Sequence, residues 1–185
     1  IALHKASSYT AELSDAMDSQ LEENDKLRKS DQQRMAELEQ LARKQQLTSA
    51  EMDRAKSIIA ELEGRYGALG LSVDEATGSI TGMADAQDRL NAKMRELAVD
   101  DVKARIAELQ ANIAEMSREM QADMQLSWGS LNPATIKAEG EKAMAAYEQK
   151  INAEQAKLKA ANTRLRALLT GDNAAIAPVD ITGAR

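Results

Sequence analysis

The chain has 185 residues, of which 43% are hydrophobic, but only 2% are aromatic, with no Phe and a single Trp. Abundant Ala, Glu, Lys, Leu and Arg with so few aromatic residues are typical of long helices and coiled coils, and argue against a β-sandwich, a barrel or a doubly wound sheet. The absence of Cys excludes disulfides and thiolate sites, the single His excludes sites that need two imidazoles, and a net charge of −6 disfavours general nucleic-acid binding.

The first predicted helix runs from about residue 8 to residue 45. Asn24 and Asp31 fall on or near its apolar stripe, where polar residues weaken a helix seam but fix its register and partner number. We therefore expect this helix to be the least firmly packed. The stripe is close to heptad spacing and comprises Leu13, Met17, Leu21, Leu27, Met35, Leu38 and Leu41.

The second predicted helix, residues 49–66, has the best-marked start in the chain. Thr48 and Glu51 have the spacing of a capping box, in which each residue satisfies a backbone N–H of the other. Gly67 follows as the glycine that commonly ends a helix. Because the connection between the first two helices is so short, they are expected to fold back as a hairpin.

The hydrophobic period then changes from helical to alternating. Residues 71–73 and 79–81 alternate on either side of a turn-forming stretch, which predicts a small β-hairpin with Gly70 and Gly82 as hinges and Gly78 at a positive φ. Two strands alone are marginally stable in water. The hairpin is therefore expected to lean on the Ile58/Leu62 face of the second helix.

The third and fourth helices are predicted over about residues 83–126 and 133–169, with Pro133 at the first position of the fourth helix, where its missing N–H costs nothing. Helices of this length must largely cover each other. If they form an antiparallel hairpin closed by residues 127–131, their stripes place five pairs face to face: Val102 with Leu158, Leu109 with Ile151, Ile113 with Tyr147, Met116 with Met144, and Met120 with Gly140.

These elements predict an all-α fold of elongated antiparallel helical hairpins, as in a coiled coil, with one small β-hairpin between them. Four segments follow along the chain: a helical hairpin over 1–70, a β-hairpin connector over 71–82, a long antiparallel coiled-coil hairpin over 83–170 and a linker-like tail over 171–185. The chain begins with Ile and ends in a loop-like stretch, and we expect it to be a piece of a longer polypeptide. No apolar run approaches the roughly 18 residues of a membrane-spanning helix.

The residues that resemble chemical sites have simpler structural explanations. His4 has no carboxylate close in sequence to orient it, and the glycines of residues 64–82 match neither phosphate-binding nor dinucleotide-binding spacing. Asp100 and Asp101 point about 100° apart on a helix and cannot easily share a proton or a metal. The sequence therefore predicts no catalytic, cofactor-binding or metal-binding residue, and no enzymatic activity.

One block of the chain resembles a known family. The stretches LTSAEM at 47–52, IIAEL at 58–62, RYGALGLSVD at 65–74, TGSITGM at 77–83 and AQDRLN at 86–91 resemble a segment of the tail tape measure proteins of bacteriophages and prophages. The resemblance covers about 50 residues, from Leu47 to Met94, and extends more loosely to the helices on each side.

This resemblance implies a structural, non-catalytic role in setting tail length and in tail assembly. Tape measure proteins are long helical chains inside the growing tail, assembled in the bacterial host cytoplasm. The implied partners are the tail tube, the tail-tip proteins and the tail-assembly chaperones, with self-association as a further possibility. No nucleic-acid contact is expected, and no membrane contact from this segment.

The residues predicted to carry this role are packing residues, and two other functions stay open. One is the coiled-coil arm of a chromosome-maintenance ATPase whose nucleotide motif lies outside this sequence. The other is a coiled-coil adaptor with Trp128 at its tip, where that side chain either plugs the end of the long hairpin or anchors a partner. The predicted packing and interaction residues are Ile58, Ile59, Leu62, Leu109, Ile113, Met116, Tyr147, Ile151, Leu158 and Trp128.

Overall fold

A computed structural model describes residues 3–127 and 133–177, with side chains over 13–125 and 140–177. The described chain is 82% helical, which confirms the predicted all-α fold with one small β-hairpin. The elements are α1 (Leu3–Ala42), α2 (Ser49–Tyr66), β1 (Ser72–Asp74), β2 (Ser79–Thr81), α3 (Met83–Ser127), α4 (Pro133–Leu169) and a short 3-10 helix (Asn173–Ala175).

Helix α2 begins at the predicted capping box. The backbone N–H of Glu51 donates to Thr48 Oγ1 at 3.3 Å, and the backbone N–H of Thr48 donates to Glu51 Oε2 at 2.9 Å. Lys44 also donates to the Glu51 carboxylate. The bond from Lys44, followed by the bonds from Thr48, lowers the pKa of Glu51 to about 2. The carboxylate therefore joins the start of the loop after α1 to the start of α2.

The predicted β-hairpin is present, and its strands pair antiparallel, with Val73 opposite Ile80. Glycine is required at position 82, where φ is +85° and an added Cβ would lie 1.9 Å from the carbonyl oxygen of Gly70. The backbone N–H of Leu47 donates to the carbonyl oxygen of Gly78 at 2.9 Å. This bond fastens the hairpin turn to the connection between α1 and α2.

Contacts within the chain define two compact units whose boundaries differ from those of the four predicted segments. Unit 1 comprises α1 as far as Leu21 together with Asp101–Ala167, and unit 2 comprises Glu22–Asp100 together with the described residues from Leu168 onward. The boundaries cut through α1, α3 and the end of α4 rather than falling in loops. Unit 2 holds an apolar core whose fully buried side chains include Met35, Leu38, Ile58, Leu62, Leu90, Met94, Leu168 and Ile176.

The predicted stripe of α1 is right in its second half and wrong in its first. Met35 and Leu38 are fully buried, whereas Leu13 and Leu27 are 44% and 51% exposed. The buried side chains of the first half are polar: Ser14 and Arg28 lie one residue after Leu13 and Leu27, and Asp25 is buried as well. One residue corresponds to a rotation of about 100° around a helix axis, so at these two positions the inner face lies about that angle from the predicted stripe, while Met17 and Leu21 are partly buried.

The described start of the predicted linker-like tail is packed instead. Asp172 caps the short 3-10 helix by accepting from the backbone N–H of Ala174 at 2.9 Å. Ile176 is fully buried, and Arg95 on α3 donates to the Asn173 side chain. The buried side chains of Ala175 and Ile176 and the Asp172 cap hold this stretch in unit 2.

Candidate functional site

A buried carboxylate in unit 2 joins α1 to α2. Asp31 is fully buried and accepts from Arg34 on its own helix at 2.7 Å. From α2 it accepts bonds from Arg65 and from the hydroxyl of Tyr66, the latter at 2.8 Å. We call these four residues the Asp31 cluster. Donors from both helices surround the carboxylate, which lies out of contact with solvent.

The Asp31 cluster is one rung of a polar ladder between two antiparallel helices. Towards the loop, Arg54 donates two bonds to the Glu37 carboxylate, at 2.8 and 2.9 Å. Positions on α1 rise as positions on α2 fall, from Asp31 with Tyr66 to Glu37 with Arg54. This order confirms the predicted fold-back of the first two helices.

Tyr66 is the most strongly perturbed group of the cluster. Burial raises the pKa of its phenol, and the bond to the Asp31 carboxylate raises it further, because a phenolate would lie against an existing negative charge. The phenol therefore stays protonated and donates. Its role is to orient Asp31 rather than to act as a base.

A second polar cluster lies in unit 1, centred on Arg105 of α3, whose side chain is 3% exposed. Arg105 donates to Asp18 at 2.7 Å and to Ser14 at 2.9 Å, both on α1, and to Glu108 on its own helix at 2.7 Å. Asp18 also pairs with Lys157 of α4 at 3.1 Å. The Arg105 cluster, defined by these five residues, thus joins three helices.

The inner seam of α3 in unit 1 alternates between apolar and polar residues at heptad spacing. Its polar positions recur every seven residues, at Arg105, Asn112 and Glu119, which are 3%, 7% and 8% exposed. Polar residues on a seam cost stability but specify register and partner number. The intervening positions are the buried apolar residues Val102, Leu109 and Met116.

Glu119 is the least favourably placed member of this seam. Burial raises the pKa of its carboxyl, and the neighbouring carboxylates of Glu115 and Asp123 raise it further, while Lys150 opposes the shift. A carboxyl whose pKa is higher in the folded state than in the unfolded chain stabilises the fold in its protonated form. That contribution is complete below the unfolded pKa near 4.5 and is lost as pH rises through the folded pKa.

Glu119→Gln is therefore expected to stabilise unit 1 at pH 7 and to leave its stability nearly unchanged at pH 3. The amide keeps the shape of the side chain and removes the charge that burial and the neighbouring carboxylates disfavour. Urea midpoints at the two pH values measure the effect. The matched control is Glu148→Gln on α4, which is exposed and should not shift the midpoint at pH 7. A midpoint for Glu119→Gln that falls at pH 7 would contradict the assignment.

Contacts in unit 1 show that α3 and α4 run antiparallel, with a shift from the predicted register near the loop. Asp18 contacts both Arg105 and Lys157, whereas further towards the loop the Tyr147 hydroxyl donates to Asp123 at 2.8 Å. The predicted partner of Tyr147 was Ile113, ten residues earlier on α3. Burial, followed by the bond to Asp123, raises the pKa of Tyr147 to about 12, so its hydroxyl remains a donor.

The predicted packing residues differ in burial from one helix to the next. Those on α2 are buried, as are Leu109 and Met116 on α3. Ile113 on α3 and the three residues on α4 are only partly buried, and Trp128 lies outside the described residues. The α2 set is Ile58, Ile59 and Leu62, and the α4 set is Tyr147, Ile151 and Leu158.

Sequence reasoning singled out Asp31 as a polar residue near a seam but missed Asp18, Arg105, Asn112 and Glu119. The available signal was the seven-residue recurrence of Arg105, Asn112 and Glu119 between apolar seam positions. Without coordinates, these residues are indistinguishable from those of a solvated helix face. The bonds from Arg105 to Ser14 and Asp18 join different helices and are set by tertiary packing.

The described residues contain neither a candidate metal centre nor a candidate membrane-spanning helix. Over 3–127 and 133–177, no group of three or more His, Asp or Glu side chains is placed to hold a metal ion. No helix within those ranges is long and apolar enough to cross a membrane. The side chain of His4 lies outside the described ones.

Comparison of the chain with family models, curated proteins and solved structures found no match.

Proposed function

We propose that this chain is a structural, non-catalytic segment of a phage tail tape measure protein, contributing to tail length determination and tail assembly. The observation that supports this proposal best concerns the block from Leu47 to Met94 that resembles that family. It coincides with α2, the β-hairpin and the first part of α3, all of which lie in unit 2. The resembling residues therefore form a folded neighbourhood and are not scattered along unrelated helices.

Two hydrogen bonds connect residues of the block to one another within unit 2. Leu47 donates its backbone N–H to Gly78, and Arg89 donates to the carbonyl oxygen of Leu69 at 3.2 Å. These bonds join the two ends of the block to its middle.

The helices on each side of the block suit a structural role. α3 has 45 residues and α4 has 37, and the polar layers at Asp31 and Arg105 hold helices in register. The proposed partners are the tail tube, the tail-tip proteins and the tail-assembly chaperones, together with other copies of the chain. The proposed location is the interior of the virion tail.

The decisive experiment is an in-frame deletion of this segment in the parent gene, with tail lengths measured by negative-stain microscopy. If the segment is fully extended as a single helix in the tail, tails should shorten by roughly 280 Å, at 1.5 Å per residue. A shortening near 70 Å, about the length of α3 alone, would mean that the segment contributes to length while folded. As a control, replacing the segment with an unrelated helical sequence of equal length should restore tail length. Tails of unchanged length after the deletion would overturn the proposal.

A further inference from the structure

The two parts of α1 differ in the side chains that they bury. The first part, up to Leu21, belongs to unit 1, and the second part belongs to unit 2. Among the described side chains of this first part, residues 13–21, the buried one is the polar Ser14, and Leu13 is 44% exposed. In unit 2, the second part buries Met35 and Leu38 completely. The second part of α1 therefore has fully buried apolar side chains beside its ion pairs with α2, whereas the buried side chain described in the first part is polar.

The polar attachment is centred on Asp18. Its carboxylate accepts from Arg105 of α3 at 2.7 Å and from Lys157 of α4 at 3.1 Å. The Asp18 side chain is 43% exposed and that of Lys157 is 39% exposed, so water and salt reach both groups and weaken the attraction between them. Ser14 adds a bond from Arg105 at 2.9 Å and a long one to Glu154 at 3.4 Å.

The surface beneath this attachment is also polar. Arg105 is 3% exposed, yet its Nε has no protein hydrogen-bond partner, and neither has Oε1 of its ion-pair partner Glu108. A buried polar atom without a partner costs free energy that is recovered when water reaches it. Separation of α1 from Arg105 would hydrate these atoms. Opening therefore costs less here than at an apolar seam of the same length.

We propose that residues 3–21 of α1 form a reversible arm, fastened to α3 and α4 by the Asp18 clasp, that opens while residues 22–42 stay packed. The Asp18 clasp is the pair of ion pairs from Asp18 to Arg105 and Lys157. At high ionic strength residues 22–42 keep the complete burial of Met35 and Leu38 even where their ion pairs with α2 weaken, whereas the described residues 13–21 bury no apolar side chain to that extent. Salt concentration therefore controls the opening. This inference does not depend on the proposed role in phage tails.

Hydrogen exchange of the full chain, read by mass spectrometry at low and high salt, tests the arm. Raising the salt from about 0.01 M to about 1 M shortens the Debye length from about 30 Å to about 3 Å. Exchange of the amides of residues 3–21 should accelerate by roughly three- to tenfold, the range expected for loss of partly exposed ion pairs. Exchange over residues 30–42 should accelerate less, because Met35 and Leu38 stay buried where the neighbouring ion pairs weaken. Equal, salt-independent protection of the two stretches would overturn the proposal.

A charge-matched pair of variants separates the clasp from a general effect of salt on helices. Asp18→Asn is expected to raise exchange of residues 3–21 at low salt to about the level of the unmodified chain at high salt, and to abolish the salt dependence. Asp15→Asn removes the same charge from an exposed position on the same helix and should leave both unchanged. Circular dichroism confirms that each variant is folded. If the two variants behave alike, Asp18 is not the clasp and the proposal fails.

Discussion

Replacing Asp31 with alanine is expected to lower the free energy of unfolding by about 3 kcal/mol, the lower end of the range of roughly 3–5 kcal/mol for breaking a buried ion pair. The carboxylate is fully buried and accepts from Arg34, Arg65 and Tyr66. Its loss leaves the buried hydroxyl of Tyr66 without its acceptor. The two arginines can turn towards water, because their side chains are 28% and 37% exposed, and this relief keeps the loss at the lower end of that range.

Urea unfolding followed by circular dichroism measures the loss at Asp31, and three further variants identify its cause. Asp88→Ala removes an exposed carboxylate from α3 and should change stability by no more than about 0.5 kcal/mol. Asp31→Asn keeps the shape and an acceptor for Tyr66, and is expected to fall between alanine and the unmodified chain. Tyr66→Phe removes one bond and should cost about 1–2 kcal/mol. An Asp31→Ala variant as stable as Asp88→Ala would show that the cluster does not hold α1 to α2.

The elements that the sequence predicted well were those marked by local chemistry. Thr48 and Glu51 form a capping box whose bonds involve residues three apart, and Gly82 occupies a conformation that an added Cβ would block. Such signals do not depend on the rest of the chain. They placed the starts of α2 and α3 and the second strand where the structure has them, and the first strand within one residue.

The elements predicted less well were those decided by partners distant in sequence. Leu13 and Leu27 form an acceptable heptad stripe with Met35, yet Ser14 and Arg28 occupy the inner face. Arg105, 91 residues after Ser14, supplies the bond that makes Ser14 an inner residue. Periodicity alone assigns the inner face of a helix to its most apolar stripe, because the pattern of one helix contains no information about ion pairs with another helix.

The two units therefore differ in what holds their helices together. Unit 2 combines an apolar core with one fully buried carboxylate, whereas the seam of α3 in unit 1 places a polar residue at every second layer. Apolar layers favour tight association, and polar layers favour one register over others at a cost in stability. A segment that must fold and also open within a larger assembly benefits from having both kinds of interior.

Leu109 and Ile113 provide a direct test of which face of α3 forms the core of unit 1. Leu109 is 1% exposed, and Ile113, four residues later, is only partly buried. We expect Leu109→Ala to lower the free energy of unfolding by about 2–4 kcal/mol, through lost burial and the cavity left behind. Ile113→Ala should cost no more than about half as much, since part of its side chain is already in water.

The two substitutions are well matched, because both introduce alanine at interior positions of the same helix and remove branched aliphatic side chains of equal size. Leu and Ile differ in helix propensity by only a few tenths of a kcal/mol, so a larger difference between the two variants reports burial. Urea midpoints and slopes for both variants, read at 222 nm, supply the comparison. Equal losses, or a larger loss for Ile113→Ala, would mean that α3 is rotated towards the predicted pairing of Ile113 with Tyr147. The polar residues Arg105, Asn112 and Glu119 would then leave the inner seam, because they move outward as Ile113 moves inward.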